Sequence, residues 1–157
     1  MNKNRRVKLL DTKVERKIVL SGLWVTVLFV FAFVDIFGFW RSDIINGILA
    51  GTVSGTQIDI DQAFLVSATA YVLVPSLMII VSLLMPARIN RLANIIVSLV
   101  WFVSVVVMVL GESWSYYILG SVIELLLLLS IAYCSWTWPR RADQSAARVL
   151  ASGSLDN

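Results

Sequence analysis

Four apolar runs dominate the chain, with its charged residues gathered between them and at the ends. They cover about Ile18–Trp40, Ala63–Met85, Leu92–Leu110 and Tyr116–Trp138, each 19 to 23 residues long. About 30 Å of hydrocarbon at 1.5 Å per helical residue needs roughly 20 residues. Lipid offers open backbone groups no partner, so each run predicts a transmembrane helix. The expected fold is all-α, an integral membrane four-helix bundle over 18–138. A basic segment, 1–17, precedes it and a mobile polar tail, 139–157, follows. The first run is longer than the 7–15 apolar residues of a signal peptide core, and it reads as a retained span.

The breaks between runs carry their own signals. Thr12-x-x-Glu15 has the form of a capping box ahead of the first span. "PARINR" is short, so spans two and three should form an antiparallel hairpin, with Asn90 capping the third. "GESWS" is equally short. The first break is different: "SDIINGILAGTVSGTQIDID" is about 20 residues long. Ser42 is placed to cap a short helix whose Ile44, Ile45, Ile48 and Leu49 share one face. That pattern predicts a helix lying on the membrane surface, then a Gly-rich turn; a re-entrant lid is the alternative. Asp61 is placed as the N-cap of the second span.

Charge orients the bundle. Seven Lys and Arg precede the first span, Arg88 and Arg91 join spans two and three, and Arg140, Arg141 and Arg148 follow the last. The opposite side holds Arg41 alone. The positive-inside rule then places both termini in the cytoplasm, in agreement with an even number of spans. Arg88, Arg91, Arg140 and Arg141 are the expected headgroup and topology residues, snorkelling to the lipid surface. Trp40, Trp114, Tyr116 and Tyr117 would mark the outer boundary and Trp136 and Trp138 the inner one. Trp101 falls near mid-span and is expected inside the bundle or against acyl chains.

Two acids interrupt the spans. Asp35 stands in "FVFAFVDIFGFW", five residues below Trp40, and Glu124 lies eight below Tyr116. At 1.5 Å per residue these depths are roughly 7–8 and 12 Å, both in the outer half. Ser67, Tyr71 and Ser104 reach similar depth, and Ser121 shares a helical stripe with Glu124. Pro75 leaves the Tyr71 carbonyl without its helical donor in the same layer. Neither acid has a Lys or Arg at its depth. A carboxylate so placed faces protein or water, or takes a proton. Asp35, Glu124, Tyr71, Ser67, Ser121 and Ser104 are therefore the candidate ligand or proton site, with structural polar packing as the competing reading. Two acids that meet would share a proton.

Composition narrows the chemistry. The chain is 59% hydrophobic and only 15% charged, with one cysteine, Cys134, and no histidine. The commonest metal ligand and general base is missing, and no internal disulfide or C-x-x-C pair is available. No metal, cofactor or catalytic residue is expected, and this weighs against an enzyme. The net charge of +3 follows topology and does not call for nucleic acid.

The order of motifs resembles a known group. Asp35 ends an aromatic-rich span, "GILAGTVSGTQI" follows, "ARINRLANII" joins spans two and three, and "VIEL" and "YCSWTW" occupy the fourth. This resembles the small four-span bacterial membrane proteins of domain of unknown function family 6326, over about residues 18–138. The resemblance implies Asp35, Gly51, Gly55, Gln57, Arg88, Asn90, Arg91, Asn94 and Glu124 as family-like positions. It also implies an acid just before the proline of span two, where this chain has Val74. The resemblance implies no activity.

Three function classes follow. The leading one is a structural or accessory component of the bacterial cytoplasmic membrane, in contact with lipid and optionally a homo-oligomer. The others are a small proton-, cation- or polar-solute transporter using the two acids, and a lipid- or quinone-interacting enzyme. Topology is directly testable: a reporter inserted at residue 56 should read as external, and a cytoplasmic reading would overturn the orientation.

Overall fold

The computed structural model describes residues 13–138. Its helices are α1 (Arg16–Gly38), α2 (Ser42–Ala50), α3 (Gln62–Leu84), α4 (Ala87–Val109) and α5 (Ser115–Trp136). All but α2 are long and apolar enough to cross a membrane. The segments 1–12 and 139–157, with Thr12, Arg140, Arg141 and Arg148, lie outside the described residues.

Helix α4 begins at Ala87, five residues before the expected start of its span. Arg88, Asn90 and Arg91 look like loop residues but occupy its first turns. Asn90 therefore does not cap α4; Pro86 holds that position, without a side-chain bond. Ser42 likewise lies inside α2, whose N-cap is Arg41. Glu15 stands at the N-cap of α1, also without a side-chain bond. The Asp61 expectation holds, as its Oδ1 accepts from the Phe64 N–H at 2.8 Å. After α2 the chain reverses through Gly51 and Gly55, both at positive φ, and a Thr52–Asp59 bridge closes the loop. Gly47 lets this loop fold back on α2: a Cβ there would stand 2.9 Å from the Thr52 carbonyl oxygen.

Helix α1 packs against α3 and α5, and α5 packs most extensively against α4. The expected α3–α4 hairpin is joined through Met85 and Pro86, yet the two helices touch only slightly. The apolar core is short: Leu20, Trp24, Val27, Met78, Val105, Leu128 and Ile131. Most other large apolar side chains face outward. In lipid that exposure costs nothing, and apolar burial between helices gains little. Cohesion must come from close packing and buried hydrogen bonds.

Both are present. Asn94 Oδ1 accepts from Trp24 Nε1 at 2.7 Å and from Ser82 Oγ at 3.2 Å, and Asn94 Nδ2 donates to Asn90 Oδ1 at 2.7 Å. Asn90 Nδ2 donates to the Ser82 carbonyl, which has no helical donor because residue 86 is proline. These bonds tie α1, α3 and α4 near one end of the bundle. There the first turn of α1 also serves its neighbours' last carbonyls. Arg16 donates to the Cys134 carbonyl at 2.9 Å, and Lys17 donates to the Leu83 carbonyl at 3.1 Å. Cations at helix C-termini also suit the helix dipole.

Candidate functional site

At the opposite end, α1 and α5 cross closely. A Cβ on Gly120 would collide with Val34 Cγ2, so the two backbones approach as only glycine permits. One turn further toward that end, Gly38 faces the Tyr116 hydroxyl. This antiparallel register puts Glu124 level with Val30, about 7 Å deeper than Asp35 along the axis.

The crossing leaves a cavity lined by Phe31, Val34, Asp35, Val105, Met108, Tyr117, Ser121 and Glu124. It leaves about 10 Å³ for the centre of a water molecule, the least that one water needs. Asp35 is exposed on the bundle surface and Glu124 is 5% exposed, so the cavity's two carboxylates differ sharply in burial. Glu124 Oε1 is buried without a hydrogen-bond partner among the described residues.

Glu124 also lines a second, more apolar cavity of the same size with Phe31, Tyr71, Pro75, Trp101 and Leu128. Trp101 stacks on Tyr71 with ring centroids 5.0 Å apart, and its Nε1 is buried without a partner. Trp101 thus lies within the bundle, one of its two expected places. Tyr71 exchanges a 2.8 Å hydrogen bond with Ser104.

The six candidate residues therefore divide. Asp35, Ser121 and Glu124 share one cavity, and Tyr71 joins Glu124 in the next. Ser104 serves Tyr71 and lines neither. Ser67 is not part of the arrangement: it is exposed, and its hydroxyl donates to the Ala63 carbonyl of its own helix at 2.8 Å. Depth along α3 brought it level with the acids, but its angular position turns it away. Tyr117 also enters the cavity; it lies four residues before Ser121, on the stripe that helical spacing assigns to Ser121 and Glu124.

A second group was missed. Arg41 is only 8% exposed. Its Nε and Nη2 grip Asp43 at 3.1 and 2.6 Å, its Nη1 donates to Glu112 at 3.0 Å, and it lies 4.8 Å from the Trp114 ring centre. Glu112 Oε1 also accepts from the backbone N–H groups of Ser113 and Trp114. This clamp joins the end of α1 to α2 and to the α4–α5 turn. Arg88 is exposed, and Arg91 sits over the Trp136 ring at 5.7 Å. Among the described residues, no three His, Cys, Asp or Glu gather as a metal site.

Four spanning helices and an all-helical architecture define a multi-pass membrane protein. The chain belongs to the family of unknown function DUF6326, whose model matches residues 7–145. No curated protein and no solved structure matches it.

The clamp has a signed pH dependence. The Arg41 hydrogen bond lowers the Asp43 pKa against a smaller effect of burial. Burial pushes the Glu112 carboxyl up, but the Trp114 N–H, Arg41 and the Ser113 N–H together hold it below its ordinary value. The clamp's stabilisation is therefore complete above the ordinary carboxylate range and is lost as pH falls through the lowered native values. Protection of the Ser113 and Trp114 amides, measured against their intrinsic exchange rates, should fall over that acid window. Arg41→Ala should remove their protection at neutral pH.

Proposed function

We propose that the protein is a structural or accessory component of the bacterial cytoplasmic membrane, with both termini in the cytoplasm. The observation that carries this reading is the size of the two cavities that Glu124 lines, about 10 Å³ each. A carrier for polar solutes needs a midplane site that accommodates its substrate, and one water's worth of room favours a packed bundle over a conduit. The basic side of the chain supports the orientation, and Arg88 and Arg91 supply contacts for anionic headgroups. A homo-oligomer fits the extensive outward apolar surface of α3, α4 and α5 as well as lipid does.

Solute flux separates this reading from transport. Proteoliposomes of the full chain should pass sugars and amino acids no faster than protein-free vesicles. Saturable uptake that Asp35→Asn and Glu124→Gln abolish would overturn the accessory role in favour of a carrier.

A further inference from the structure

We propose that the Asp35–Glu124 cavity is a binding site for one small monovalent cation, with sodium and the proton competing for it. The proposal stands independently of the accessory role. Its first support is electrostatic need. Among the described residues, Glu124 is more than nine-tenths buried and lines the cavity, its Oε1 is buried without a hydrogen-bond partner, and no cation pairs with it. An uncompensated carboxylate at that depth must take a proton or a counter-ion.

The second support is the donor set. Asp35, Ser121, Tyr117 and Glu124 present hard oxygen atoms from two facing helices, the ligand type that alkali ions and hydronium share. The axial offset of about 7 Å between the acids lets one dehydrated ion sit between their side chains. The third is size. Room for one water admits a bare sodium ion or hydronium, whereas magnesium keeps several waters of its own.

The ionisable groups around Glu124 are few. Helix α1 contributes Asp35, α3 contributes Tyr71 and α5 contributes Tyr117. Helix α4 faces it with Trp101, Val105 and Met108, none of which titrates. Arg41 is engaged by Asp43 and Glu112 at the end of the bundle. Sodium entry should therefore displace a proton from the carboxylate pair and from no other group.

The full-length protein in detergent, weakly buffered and mildly acidic, provides the test. Sodium chloride should release about one proton per chain, read with a pH-indicator dye, while choline chloride should release none. Glu124→Gln should abolish the release, and Asp35→Asn should weaken apparent sodium affinity by about tenfold or more. Helical circular dichroism checks that each variant is folded. Asp35 is exposed and makes no hydrogen bond among the described residues, so its variant keeps the test open should the Glu124 variant fail to fold. Equal release by choline, no release at any mildly acidic to mildly alkaline pH, or release unchanged in folded variants would overturn the site. Calcium outcompeting sodium at equal concentration would overturn its assignment to a monovalent ion.

Discussion

The carboxamide of Asn94 is the interaction on which the rest of the bundle depends. Its oxygen accepts twice and its nitrogen donates to both oxygens of Asn90, so nearly all its hydrogen-bonding capacity is used. It is fully buried and reaches α1 through Trp24 and α3 through Ser82. In lipid, Leu against Leu is little better than Leu against an acyl chain, and such directional bonds select one arrangement of helices. Here they add to the Tyr71 contacts with Trp101 and Ser104, because the α3 and α4 backbones run close over only a short stretch. Pro86 makes the arrangement specific: it frees the Ser82 carbonyl, and the Asn90 amide answers it.

Helix α5 is held by different means. Gly120 admits Val34 at the crossing, Arg16 ties its last turn to α1, and Arg91 covers Trp136. The tight crossing has a chemical consequence. It brings Ser121 and Glu124 beside the segment that carries Asp35, and it excludes all but about one water. The Arg41 clamp then closes the same end, fixing α2 and the α4–α5 turn with charge pairs where water is again available. One end of the molecule is thus held by the Asn90–Asn94 network with Arg16 and Lys17 on helix carbonyls, and the other by ion pairs, with the two acids between.

Much of this was legible in the sequence. Span length and hydropathy have a direct physical cause in bilayer thickness, so the four helices could be read within a few residues. The exception is α4, where polar residues at the start of a helix resemble a connection until a buried partner is found for them. The acids were found as charges in apolar runs, and their depth followed from counting residues. Angular position did not. Ser67 shares the depth of the acids but not their direction, because a helix with polar and apolar residues on several faces has no single reading. Arg41 looked like a lone exposed cation because its partners, two and 71 residues away, meet only through the fold. The pairing of Asn94 with Trp24 across 70 residues was not legible either.

The most direct test of the account is a double-mutant cycle between Trp24 and Asn94. Trp24→Phe, Asn94→Leu and the double variant would be unfolded reversibly in mixed detergent micelles and their stabilities compared. Coupling of about 1 kcal/mol is expected, toward the upper part of the range for hydrogen bonds between membrane helices. Strictly additive losses, or a gain in stability with Asn94→Leu alone, would contradict a bundle held together by its buried polar network.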